Sequence, residues 1–81
     1  MSDAPDTQEQ VLDTKGLNCP LPILKTKKRL KDVPEGGLLR VLATDPGAVG
    51  DFQAFCQATG HTLVENREED GVYVFLVRKT G

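Results

Sequence analysis

Apolar and polar residues alternate along the chain with two different periods. Short apolar or alternating runs are typical of β-strands, whereas apolar positions three or four residues apart are typical of an amphipathic helix. Strand-like runs cover residues 9–14, 38–44, 61–67 and 72–79, and helix-like runs cover residues 20–33 and 46–59. The pattern therefore predicts six elements in the order β-α-β-α-β-β.

The first eight residues lack this patterning. Residues 1–8 show no apolar period, which predicts a disordered N-terminal tail. Residues 9–81 are too few to divide further, so we expect a single domain. Within it, the strand–helix–strand start predicts a right-handed crossover between two parallel strands. Asp70-Gly71, between the last two strands, predicts a hairpin.

The first helix has one apolar face and a second, smaller apolar patch. The face predicted to pack on the sheet consists of Ile23, Thr26, Leu30 and Val33. Leu21 and Leu24 project away from that face. The lysines around these two leucines are Lys25, Lys28 and Lys31. An exposed apolar patch with a charged rim is typical of a docking surface, so we interpret these residues as partner-binding. A merely solvated helix face is the alternative.

The second helix is predicted to begin with Asp45 as its N-cap and Pro46 as its first residue, and to end before Gly60. Cys56 falls on the apolar side of this helix, so we expect it in the core. His61 follows at the start of a strand, and its predicted place is the protein surface.

The stretch with the clearest chemical content is 16–22, Gly-Leu-Asn-Cys-Pro-Leu-Pro, between the first strand and the first helix. Proline is favoured at the first helical position, so Pro20 there makes Cys19 the N-cap residue. A helix N-terminus favours the thiolate, and the N–H of Leu21 is the nearest donor left for the sulfur. Pro22 takes the place that a resolving cysteine has in Cys-x-x-Cys. We therefore predict one accessible sulfur that accepts a group and passes it on.

The composition of the chain argues against several classes of function. A net charge of −2 argues against general nucleic-acid binding, for which a basic domain is the usual footprint. Two cysteines and one histidine, scattered along the chain, have no metal-site spacing, so no metal or cofactor is expected. Neither a signal peptide nor a membrane span is visible. We expect a monomeric cytoplasmic protein with reduced thiols.

Several of these residues together resemble the signature of the TusA (SirA-like) family of small sulfur-carrier proteins. They are Leu12-Asp13, Gly16-Leu17 and Cys19-Pro20-x-Pro22, and the similarity continues through Asp45-Pro46 and Phe55-Cys56 to the last strand, over residues 11–79. The resemblance implies an α+β fold: a two-layer β-α-β-α-β-β sandwich with a four-stranded mixed sheet and two helices on one face.

The resemblance also implies a function and a set of site residues. Cys19 would carry a persulfide, received from a cysteine desulfurase or rhodanese-like donor and passed to a DsrE-like or other relay protein. Transfer RNA thiolation, molybdenum-cofactor synthesis and oxidative sulfur metabolism are all compatible pathways. The protein would act more as a co-substrate than as an independent catalyst. Supporting residues around Cys19 would be Asp13, Gly16, Pro20, Leu21 and Pro22.

A second class of function stays open. The basic helix, residues 21–33, also fits a non-covalent interaction module that binds RNA or regulates a partner. The acidic balance of the chain and its few aromatic residues weigh against RNA.

Overall fold

The computed structural model of the protein describes residues 9–81, so the predicted tail lies outside the described residues. The elements are β1 (Glu9–Thr14), α1 (Leu21–Leu30), β2 (Leu38–Ala43), α2 (Ala48–Thr59), β3 (Thr62–Glu69) and β4 (Val72–Arg78). This order confirms the predicted β-α-β-α-β-β arrangement. In this part of the chain no helix combines the length and the apolar character needed to span a bilayer.

The four strands form one mixed sheet in the order β1-β2-β4-β3. β1 pairs parallel with β2, while β4 pairs antiparallel with both β2 and β3. The parallel pair follows from the β1-α1-β2 crossover, because a strand that returns through a helix enters the sheet in its original direction. The predicted mixed sheet is confirmed.

The core lies between one face of this sheet and the two helices. On β2, Leu39, Val41 and Ala43 are buried and alternate with partly exposed neighbours, as expected for a strand covered on one face. Leu30 of α1 and Phe52 of α2 belong to the same buried cluster. Phe52 stacks on Phe75 of β4 with ring centroids 4.3 Å apart. Both helices therefore cover the same face, which gives the predicted two-layer sandwich.

The first helix is shorter than predicted at both ends. Its N-cap is Pro20 and its first residue is Leu21, one position later than the sequence pattern indicated. After Leu30 the chain tightens, and the N–H of Val33 donates to the Leu30 carbonyl three residues back. Pro34 disfavours helical geometry in the residue before it, which explains the early end.

The second helix also begins later than predicted. Its N-cap is Gly47 rather than Asp45, because Asp45 and Pro46 form a turn in which the Ala48 N–H donates to the Asp45 carbonyl. The predicted end is confirmed, since Gly60 takes a left-handed conformation with φ of 85° and its N–H donates to the Cys56 carbonyl.

The turn between β3 and β4 is shorter than the sequence Glu68-Glu69-Asp70-Gly71 predicts. Glu68 and Glu69 pair with β4, so only Asp70 and Gly71 form the turn. Both have positive φ, 52° and 83°, as a two-residue type I′ turn requires. The predicted Asp-Gly hairpin is confirmed, with strands that extend up to it.

Candidate functional site

The loop that carries Cys19 joins β1 to α1 and is held at its base by side chains. The carboxylate of Asp13 accepts a hydrogen bond from the Lys15 N–H at 2.9 Å. The next N–H, of Gly16, donates to Thr44 Oγ1 at 2.9 Å, and Gly16 has a φ of 85°. Glycine suits this left-handed position because it has no Cβ. The loop is therefore turned sharply and attached to the end of β2.

Cys19 itself is attached to the segment that leads into α2. Its backbone N–H donates to Asp45 Oδ2 at 2.7 Å, while Asp45 Oδ1 accepts from the Gly47 N–H at 3.1 Å. A hydrogen bond to a charged acceptor is stronger than one between neutral groups. One carboxylate thus fixes the cysteine backbone against the start of the second helix.

The start of α1 does not supply the sulfur contact that the sequence predicted. Cys19 is not the N-cap, and the N–H of Leu21 donates to the Asn18 carbonyl at 2.9 Å rather than to the sulfur. Pro20 and Pro22, on either side of Leu21, have no N–H to offer. The Cys19–Pro20 peptide bond is cis. The N-terminal donor expected to stabilise the thiolate is therefore used by the backbone.

The surroundings of the sulfur favour the neutral thiol. A hydrogen bond to the Asp51 carboxylate raises the pKa of the Cys19 thiol above its ordinary value, and desolvation and the negative charges of Asp51 and Asp45 raise it further. This direction is opposite to that of the predicted helix-stabilised thiolate, because the groups that act on the sulfur are carboxylates and the Leu21 N–H donates to the Asn18 carbonyl.

The thiol opens into a cleft of about 420 Å³ between the two helices. Ile23 and Lys27 of α1 line one side, and Asp51 and Phe55 of α2 line the other. Cys19 is exposed and free of any disulfide. A reacting group on another molecule can therefore reach the sulfur through an open, largely apolar cleft.

The family model of the sulfurtransferase TusA matches residues 10–79 of the chain. The chain belongs to the TusA family. It is 53% identical over 72 residues to the sulfur carrier protein TusA of Allochromatium vinosum, a match that covers 89% of this chain and 95% of that protein. It is 45% identical over 71 residues to the sulfur carrier protein TusA of Pseudomonas aeruginosa, covering 88% and 90% respectively.

A solved structure supports the same assignment. The crystal structure of a SirA-like protein from Desulfitobacterium hafniense superposes with a TM-score of 0.78 at 26% identity. The match covers 89% of this chain and 99% of that one. The TusA-family fold therefore extends over nearly the whole described part of the chain.

In this TusA-family chain the predicted docking residues fall on two sides of α1. Leu21 and Leu24 are exposed, by 44% and 52%, as predicted. Leu24, Lys28 and Lys31 line a cavity on the side of α1 that faces α2. Lys25 lines a different cavity, beside Leu12 of β1. Lys28 lines both cavities, so the predicted lysines extend around α1, with Lys25 on the β1 side and Lys31 on the α2 side.

The second cysteine lies in the core of the TusA fold, as predicted. Cys56 is 6% exposed, and burial raises the pKa of its thiol. His61 is half-buried rather than on the open surface, because its Nδ1 accepts a hydrogen bond from the Gly81 N–H at 3.1 Å. Its ring also lies 5.9 Å from that of Phe55.

Sequence reasoning missed Asp45 and Asp51 as residues of the cysteine site. The sequence pattern predicts Asp45 as a helix cap and does not distinguish Asp51 from other surface carboxylates. A signal was present, since β1 and β2 are parallel and segments after parallel strands meet at one edge of a sheet. The residues after β2 therefore had to lie beside the Cys19 loop.

Proposed function

We propose that this chain is a sulfur carrier that holds a persulfide on Cys19 between a donor and an acceptor protein. The observation that carries the proposal is an exposed, free cysteine whose backbone is fixed by Asp45 while its sulfur faces an open cleft. The relatives named sulfur carrier protein, which match 89% and 88% of this chain, support the same role.

The transfer needs only thiol exchange. The thiolate of Cys19 attacks the outer sulfur of a persulfide on the donor and forms a new S–S bond. The bond between that sulfur and the donor cysteine breaks, and the donor leaves as a thiolate that takes up the proton lost by Cys19. Nothing is oxidised or reduced overall. An acceptor thiolate then removes the outer sulfur by the same step, so the carrier acts as a co-substrate rather than an independent catalyst.

The residues around Cys19 serve this exchange by position. Asp13 and Gly16 shape the base of the loop through their backbone hydrogen bonds. Pro20 and Pro22 stiffen the chain on the helix side, because each fixes its own φ. Leu21, between them, presents an exposed apolar side chain close to the thiol. The sulfur is thereby presented in one orientation to successive partners.

A cysteine desulfurase or a rhodanese-like protein is the proposed donor, and a DsrE-like or other relay protein is the proposed acceptor. Both would contact the exposed side of α1 beside the thiol. Leu24 supplies an apolar anchor on that side of the helix, and Lys28 and Lys31, farther from the thiol, supply positive charge. Apolar anchors mainly set the off-rate of a complex, whereas rim charges mainly set the on-rate.

Mass spectrometry after incubation with a cysteine desulfurase and free cysteine tests the proposal. We expect the added mass of one sulfur atom, confined to Cys19 and removed by a thiol reductant. Cys19→Ser should take up no sulfur while its circular dichroism spectrum stays that of the parent protein. Cys56→Ala is the matched control and should load fully. Loading of Cys19→Ser to the parent level would overturn the proposal.

A further inference from the structure

The cleft beside Cys19 is one end of a longer groove between the helices. A second cavity, of about 460 Å³, adjoins the first, and Lys27, Phe55 and Thr59 line both. The second cavity continues along α1 as far as Lys31. α1 has ten residues and so spans about 15 Å at its usual rise. The groove thus runs along the length of this helix, away from the thiol.

The charge along the groove changes from one end to the other. Beside Cys19 the charged side chain that faces Lys27 is a carboxylate, that of Asp51. Lys27 lies where the two cavities meet, and beyond it the far cavity is lined by Lys28, Lys31 and Lys79. Among residues 9–81 no aspartate or glutamate lines that far cavity. Positive charge therefore outweighs negative charge at the far end of the groove, whereas Lys27 and Asp51 balance each other beside the reactive sulfur.

The cavity that the lysines line also has an apolar surface. Leu24 and Leu30 of α1 and Phe55 of α2 line the same cavity. Leu24 is 52% exposed, so its apolar side chain is open to a partner. A free anion would need only the lysines, whereas a chain with apolar and acidic side chains would use both kinds of surface.

We propose that the groove binds an extended segment of the partner protein, with its exchanging cysteine at Cys19 and acidic side chains at the lysine end. The proposal rests on the sulfur-carrier function and adds the chemistry of what is recognised. An extended chain advances about 3.3 Å per residue, so the acidic residues should lie about five residues from the cysteine. Apolar side chains between them would contact Leu24 and Phe55.

The two ends of the groove differ in whether they attract or repel acidic side chains of the segment. Asp51 beside the thiol repels an acidic residue placed next to the partner's cysteine, whereas Lys31 and its neighbours attract one at the far end. A segment whose acidic residues lie next to its cysteine would place like charges together beside the thiol. Charge complementarity therefore favours an acidic protein segment over a nucleic acid, whose phosphates would have to cross the Asp51 end.

Fluorescence anisotropy with short labelled peptides tests this inference. The probe carries a serine in place of the cysteine, a leucine after it, and two glutamates about five residues from the serine. A scrambled peptide with the glutamates next to the serine is its control. We expect the probe to bind roughly tenfold more tightly than the control, with a difference that shrinks at high salt.

Two double charge reversals on the same helix locate the binding. Lys28→Glu with Lys31→Glu should abolish the preference for the probe. Lys25→Glu with Arg29→Glu, on the side of α1 that faces β1, changes the net charge equally and should keep it. Equal binding of probe and scrambled peptide, equal losses in the two variants, or tighter binding of an RNA oligonucleotide of equal charge would each overturn the proposal.

A separate measurement keeps this inference distinct from the carrier function. Inorganic polysulfide can load Cys19 without any protein segment in the groove. If the Lys28 and Lys31 variant loads normally from polysulfide, a change in its peptide binding reports on the groove alone. If the parent protein fails to load from either polysulfide or a desulfurase, the carrier function itself is wrong, whatever the peptides do.

Discussion

At the scale of single residues, two carboxylates act on different parts of Cys19. Asp45 accepts a hydrogen bond from the backbone N–H and so fixes where the residue lies. The carboxylate of Asp51 raises the pKa of the thiol and so favours the protonated sulfur. Because the thiolate is the nucleophile, the resting protein has a sulfur that is well placed but weakly reactive. A partner that neutralises Asp51 on docking would raise that reactivity.

Asp51→Asn should make Cys19 more reactive. Its neutral amide removes the negative charge and the strong acceptor that raise the pKa of the thiol, so the pKa falls towards its ordinary value. Each unit of pKa changes the thiolate fraction about tenfold when the pH lies below the pKa. We expect the rate of iodoacetamide alkylation at neutral pH to rise several-fold, and its pH profile to shift to lower pH.

Asp32→Asn is the control for this experiment. It removes the same charge near the far end of α1, where Asp32 lines the cavity on the β1 side. Its alkylation profile should match that of the parent protein. An Asp51→Asn variant that reacts more slowly than the parent would show that Asp51 activates the thiol instead of holding it protonated.

At the scale of elements, the β3–β4 hairpin depends on the backbone of one glycine. Gly71 has a φ of 83°, and a Cβ built on it would meet no atom within 4 Å. Gly71→Ala therefore introduces no steric clash with the rest of the molecule, and its whole effect comes from the left-handed backbone. We expect the free energy of unfolding to fall by about 1 kcal/mol in urea titrations.

Gly50→Ala provides the matched substitution in a helix. Gly50 lies in the first turn of α2, its added Cβ would also meet nothing, and its φ is not in the left-handed region. Alanine is favoured over glycine in helices, so this variant should be more stable by about 0.5 kcal/mol or more. If both alanine variants change stability in the same direction, backbone conformation does not explain the loss at Gly71.

At the scale of the whole molecule, sequence periodicity predicts the helices and strands better than it predicts which of them lie next to one another. The six elements, the buried Cys56 and the Asp-Gly turn follow from local patterns of apolar, proline and glycine residues. The contact between Cys19 and Asp45 joins residues 26 positions apart, and no local pattern encodes it. It arises because the parallel pairing of β1 and β2 brings their C-terminal ends to one edge.

The side chains on the two sides of α1 show the same limit of prediction from local sequence patterns. A helical wheel correctly predicts that Leu21 and Leu24 are exposed, because that depends only on their angle from the buried face. It does not predict that Lys31 lies towards α2 while Lys25 lies towards β1, since this requires the positions of the neighbouring elements. The groove between the helices is therefore a property of the tertiary structure alone.

The last prediction follows from the different positions of the two cysteines, one in the buried core and one in the exposed site. Cys56 packs in the same buried cluster as Phe52 and Phe75, whereas Cys19 lies on an exposed loop. Cys56→Ala removes a small buried group, which usually costs on the order of 1 kcal/mol. In a domain of this size that loss lowers the Tm by about 4–8 °C. Calorimetry should show the lower Tm, while sulfur loading on Cys19, measured well below that temperature, stays complete. Lost loading at an unchanged Tm would mean that Cys56 takes part in the transfer chemistry, because its contribution to packing would then be negligible.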